Sequence, residues 1–156
     1  MGTIPRCATA VLALSLTLAA GAAPPPTGAD AMLDALLPEG RRTESLQSLA
    51  ASQTLEPGEN IRIVELGRDA HSSHHLVWIR DREIPHRHDR HDLLVVMLRG
   101  YGGMRIGADE RSVGTGSILY VPRGAAHAFR NEASEPAVAY AVYTPAFDGR
   151  DRATLE

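Results

Sequence analysis

The chain has 156 residues, a formal net charge of −3, one cysteine (Cys7) and no lysine, so all sixteen basic residues are arginine. A single cysteine permits neither an intrachain disulfide nor a zinc–thiolate cluster, and the lack of lysine excludes Schiff-base chemistry. Acids and arginines are interspersed without a basic stripe, which argues against nucleic acid as a partner.

Residues 1–22 read as a secretory signal. Arg6 supplies the positive start, Ala8 to Ala20 is an apolar run broken only by Thr and Ser, and Ala20-Gly21-Ala22 forms a small-residue cleavage site. The run is too short to favour a transmembrane span. Cys7 precedes it and so cannot be the acylated cysteine of a lipoprotein. The expectation is a secreted or periplasmic chain with no stable membrane anchor after signal removal, and with no thiol left.

Residues 23–54 read as a linker with a short helical extension. Pro24, Pro25, Pro26 and Gly28 leave nothing to pack. Asp30 is placed to cap a short helix running to Leu37, with Met32, Leu33, Leu36 and Leu37 on one stripe and Pro38 as its stop. A second short helix is expected from Thr43 to Ser52, carrying Leu46 and Leu49.

From Asn60 the period changes to that of strands. Ile61 to Leu66 alternates, His75 to Arg80 is a second run, and Ile84, His86 and His88 share one face of a third. Leu93 to Leu98 is continuously apolar. Met104 to Ile106 and Arg111 to Val113 flank Gly107-Ala108-Asp109-Glu110 as a hairpin. Ser117 to Val121, Ala126 to Arg130 and Ala137 to Tyr143 complete the set. Eight or more short strands punctuated by glycine and proline indicate an all-β sandwich or barrel. Its boundaries are set at 55–147, and residues 148–156 read as an irregular tail.

The chemistry gathers in Pro85-His86-Arg87-His88-Asp89-Arg90-His91-Asp92. On a strand, period-2 alternation sends the imidazoles of His86 and His88 to one face, which is half of a metal site. A polar His-Arg-His loop that is merely solvated fits the same residues. The balance shifts at Gly116 to Asn131, where Gly116, Pro122, Gly124, His127 and Asn131 stand at fixed offsets. Gly116 suits a tight turn into a strand, Pro122 and Gly124 suit a chain reversal, and Asn131 can bond backbone where the next strand ends.

This second stretch resembles the second motif of the cupin superfamily, G-x5-P-x-G-x2-H-x3-N, at every defined position. The His86 stretch resembles the first motif less completely. His86, His88 and the closing Gly100 fit, but Arg80 stands at the opening glycine and Leu93 at the metal-binding glutamate. The resemblance implies a small double-stranded β-helix barrel, often dimeric. In its mouth one divalent transition metal (Fe, Mn, Zn, Ni or Cu) would be held by His86, His88 and His127. His91 and Asp92 are candidate accessory ligands or outer-sphere groups near the missing glutamate. The function expected is a metal-dependent small-molecule enzyme, most simply of oxygenase type, with a dioxygenase, isomerase or lyase reaction open. A non-catalytic module that binds a small ligand or sequesters metal is the alternative.

His71, His74 and His75 cluster too, but around a Ser-Ser turn, and read as structural. Trp78, Met97, Tyr120 and Phe129 read as ordinary core. Arg87 and Arg90, beside the mouth, are placed to greet an anionic substrate.

Overall fold

The computed structural model describes residues 32–37, 40–45, 48–49 and 52–155. The expected signal at 1–22 and the proline-rich linker after it lie outside the described residues. Two five-stranded antiparallel sheets face each other. The first runs in the order β3 (Ile61–Arg68), β4 (Ser73–Ile79), β11 (Ala137–Thr144), β6 (Asp92–Arg99) and β9 (Ile118–Val121). The second runs β12 (Ala153–Thr154), β5 (His86–Arg87), β10 (His127–Asn131), β7 (Tyr101–Ile106) and β8 (Asp109–Gly114). Apart from the hairpins β3–β4 and β7–β8, each strand from β4 onward is followed by one in the other sheet, so the fold is an all-β double-stranded β-helix.

Alternation explains both faces of the first sheet. On β4, Val77 and Ile79 point inward, while Leu76 and Trp78 point to a second, outer cluster. Burial on both faces is why this strand reads as an unbroken apolar run. On the central strand β11, Ala137, Ala139, Ala141 and Tyr143 face inward. Three small side chains in the middle of a sheet leave space that larger ones would fill, and the interior cavity lies against them.

The N-terminal extension differs from expectation. Met32–Leu37 is strand β1, paired in register with β2 (Gly40–Ser45), and not a helix. Asp34 receives hydrogen bonds from Arg41 and Thr43 across the pair. Six residues with apolar side chains at both ends fit either period, and pairing to a neighbouring strand decides. The second helix is likewise shortened, since Thr43 to Ser45 belong to β2. Ser48, Leu49 and Ser52 are helical. Leu33 and Leu49 join Leu66, Leu76, Trp78 and Val138 in the outer cluster, so the extension covers the back of the first sheet.

The turn chemistry is carried by glycines. Gly116 and Gly124 hold φ of +87° and +79°, a region that L side chains rarely adopt. A Cβ at either would meet nothing within 4 Å, so the requirement is conformational and not steric. Asn131 closes β10 by donating from Nδ2 to the carbonyls of Arg80 (3.0 Å) and Glu135 (2.9 Å).

Candidate metal centre

His86 on β5 and His127 on β10 are directly opposite in the antiparallel pairing. Directly opposed residues share a face, so both imidazoles enter the same interior. Their ring centroids are 4.3 Å apart. The third-strand expectation holds only for His86–Arg87, the two residues of β5. His88 lies past the strand but still turns inward, 5.2 Å from His86 and 5.4 Å from His127 between centroids. Ile84, expected to face inward beside them, is 58% exposed at the cavity rim. The proline at 85 and the short pairing break the strict alternation that the sequence suggested.

One ligand atom from each of His86, His88 and His127 falls within 4.8 Å of the others. All three residues are buried. Their Nδ1 atoms are each directed at a backbone carbonyl: Ile84 for His86 (2.9 Å), Ala125 for His127 (3.0 Å) and Asp151 for His88. A carbonyl can only accept, so Nδ1 carries the proton and Nε2 presents its lone pair. The Nε2 atoms of His88 and His127 are buried with no hydrogen-bond partner. Burial, then the neighbouring His127, pushes the His86 imidazole down to about 3. Burial lowers His88 and His127 as well. Neutral rings with free, converging lone pairs are the protonation state that a metal needs.

The two accessory candidates have other partners. Asp92 takes hydrogen bonds from the Arg123 guanidinium (2.6 Å) and backbone N–H (2.9 Å), and Arg123 holds its carboxyl at about 2. This pair ties the start of β6 to the turn at Pro122 to Ala125. His91 is buried but its Nδ1 meets the Asp151 carboxylate at 2.5 Å, and its Nε2 lies 3.3 Å from the Ala146 carbonyl. Leu93, at the family's glutamate position, continues with Val95 and Met97 as an apolar wall of the cavity.

The cavity has a volume of about 380 Å³ and opens beside the three histidines. Most of its wall is aliphatic. Glu83, Tyr143 and Arg152 add polar groups that the sequence did not single out. Burial pushes the Glu83 carboxyl up, and its Oε2 accepts the Phe129 N–H at 3.0 Å. Burial, then Glu83, pushes the Tyr143 hydroxyl up to about 12. Phe129 and Met97 line the cavity and are core at once. Trp78 belongs to the outer cluster, whereas Tyr120 is 60% exposed and part of neither.

The histidines near β4 stay separate. His74 bonds the Tyr140 hydroxyl (2.7 Å), and His75 bonds Ser73 Oγ (2.9 Å) with its ring edge-on to Tyr143. Among the described residues only His86, His88 and His127 converge as a candidate metal group. Asp151 could have been noticed as an acid in the tail, but nothing in its spacing pointed to His88 or His91.

Two facing antiparallel sheets with a histidine-lined cavity at one end define a double-stranded β-helix protein. The chain belongs to the cupin superfamily. The family model described as "Cupin domain" matches residues 73–143. An uncharacterized protein of Aquifex aeolicus is 34% identical over 98 residues, covering 63% of this chain and 80% of its own. A double-stranded β-helix protein of Klebsiella pneumoniae superposes with a TM-score of 0.58 at 15% identity, over 69% of this chain and 95% of its own. Streptomyces Pac13, a nucleoside dehydratase solved with uridine, gives a TM-score of 0.56 at 13% identity, over 68% and 87%. These two structures share the fold.

Proposed function

We propose that this cupin holds one divalent transition metal on His86, His88 and His127 and converts a small molecule bound in the adjoining cavity. The observation that carries the reading is the pair of buried, unpartnered Nε2 atoms on His88 and His127. Leaving a buried acceptor unpaired costs about 1–3 kcal/mol, and three neutral imidazoles suit Fe, Mn, Zn, Ni or Cu. When bound, such an ion supplies Lewis acidity or redox capacity.

The chain's own residues do the rest. The carbonyls of Ile84, Ala125 and Asp151 hold the three rings in the tautomer that presents Nε2. Val77, Ile79 and Leu93 give the substrate side of the cavity an apolar wall. An oxygenase-type reaction is the simplest use of such an apolar-walled, three-histidine chamber. Glu83 favours a second reading, a lyase or isomerase. A carboxyl raised by burial beside the histidines can hand a proton to, or take one from, a bound substrate. The dehydratase activity named for Pac13 is elimination chemistry on the same fold, an argument by analogy.

Metal analysis of the purified chain tests the first claim. Close to one transition metal per chain, lost in His86→Ala and in His127→Ala, is expected. A chain that stays metal-free when offered each of the five ions overturns it. Turnover screening with and without dioxygen separates the chemistries. Dependence on dioxygen supports the oxygenase, turnover without it that Glu83→Gln abolishes supports the lyase or isomerase, and stoichiometric binding without turnover leaves a binding module.

A further inference from the structure

The cavity carries one cation, at its exposed edge, that forms no salt bridge among the described residues. Of its lining residues, Arg82 and Arg152 bear a positive charge. Arg82 is paired with Asp81 at 3.1 Å. Arg152 makes no salt bridge among the described residues; its Nη2 lies 3.4 Å from the Ile84 carbonyl and 3.3 Å from His86 Nδ1. A guanidinium has five N–H donors in a planar fork, so most of its capacity is unspent. Glu83, an acid of the same lining, has a carboxyl that burial pushes up and that the Phe129 N–H and then this charge draw down, but its Oε2 accepts the Phe129 N–H and it forms no salt bridge with Arg152.

The wall that the first sheet gives the cavity is apolar at Ile63, Val77, Met97 and Leu119, from β3, β4, β6 and β9. A volume of about 380 Å³ lies near the small end of the roughly 300–1,000 Å³ typical of small-molecule pockets. A ligand suited to the arginine and this wall has one anionic head and a compact apolar body. The planar fork of arginine matches the two oxygens of a carboxylate.

We propose that the cavity takes a small monocarboxylate with an apolar body, its carboxylate received by Arg152 beside His86 and its body lying against Ile63, Val77 and Leu119. The proposal rests on reading this cavity as the substrate site, but Arg152 acts whether or not a metal is bound. That separates the two tests. Arg152 is a specificity-determining residue in this account, contributed by the tail and not by either cupin motif.

The experiment is calorimetric titration of the full chain, stripped of metal by chelator, with hexanoate, hexanol and hexylamine. These share one apolar body and differ in the head. Hexanoate is expected to bind at least about tenfold more tightly than hexanol, a difference of about 1.4 kcal/mol, with hexylamine weakest. Arg152→Met should erase the preference for hexanoate, whereas Arg152→Lys should keep part of it. If the methionine variant fails to fold, as circular dichroism would show, the lysine variant and the head-group series still decide. Equal binding of hexanoate and hexanol by the wild-type chain overturns the proposal, as does an undiminished preference in folded Arg152→Met. Metal content measured in the same variants stays unchanged if the histidine centre is independent of Arg152. Loss of the metal reading with the carboxylate preference intact would leave a metal-free acid-binding cupin.

Discussion

Asp151 holds His88 from the far end of the chain: its carbonyl oxygen accepts the Nδ1–H of that histidine. Its carboxylate meanwhile accepts from His91 Nδ1 at 2.5 Å and from the backbone N–H groups of Asp89 and Arg90 at 3.0 and 2.8 Å. One buried residue therefore fixes a candidate ligand and the loop after it. Burial pushes its carboxyl up, but these hydrogen bonds outweigh that and hold it at about 2. Two and three residues on, Ala153 and Thr154 pair with Arg87 and His86, so the tail completes the sheet that carries the site.

Replacing Asp151 by alanine removes the carboxylate that anchors His91 and the loop after His88, and should weaken metal binding by up to about 10-fold, the low end of the usual outer-sphere effect, because the backbone carbonyl on His88 stays. Asp151→Asn, which keeps a side-chain oxygen for the backbone N–H groups of Asp89 and Arg90, should cost less, and both variants keep the backbone carbonyl that accepts from His88. Competition with a chelating dye measures both. Equal affinity in wild type and Asp151→Ala would show that the carboxylate does not position the centre.

Acid should destabilise the metal-free chain. His86 has a folded value of about 3 against an ordinary 6.5, so between these the unfolded chain binds more protons than the folded one. Stability is then fully present above about 6.5 and falls as the pH drops toward 3. His88 and His127, lowered by burial, act in the same direction. Urea midpoints in chelator at pH 8, 6, 5 and 4 should decline in that order. A midpoint that rises between pH 6 and pH 5 would contradict the burial of neutral rings.

The alanines of β11 make room, and filling that room should remove ligand binding without removing the fold. Ala139 pairs with Val77 and Met97, both in the cavity wall. Ala139→Leu should abolish binding of any cavity ligand, keep metal content, and shift Tm by no more than about 4 °C, equivalent to about 1 kcal/mol. Thermal melts with parallel titrations check this. Unaltered ligand affinity would move the binding site elsewhere.

Export is a proposal resting on Arg6, the apolar run and Ala20-Gly21-Ala22. Protein recovered from the periplasm or medium of a bacterial host should begin near Ala23. An intact Met1 on a soluble cytoplasmic product would end that reading.

The strands from Ile61 onward were legible in the chain because antiparallel strands with one buried face must alternate, and Leu76–Ile79 of β4 and Leu93–Leu98 of β6 are unbroken apolar runs. His127 was legible as a candidate ligand through the resemblance of Gly116 to Asn131 to the second cupin motif, since the turn at Pro122 and Gly124 constrains backbone angles but selects no ligand. Local patterns carry local physics, which is why β1 was misread: its six residues fit two periods, and the choice belonged to its partner Gly40–Ser45. The grip of Asp151 on the histidine loop, about 60 residues earlier in the chain, had no periodicity to reveal it. Neither had the unpaired charge of Arg152 at the cavity. Both depend on β12 docking against β5, a contact between distant segments that only the closing of the barrel creates.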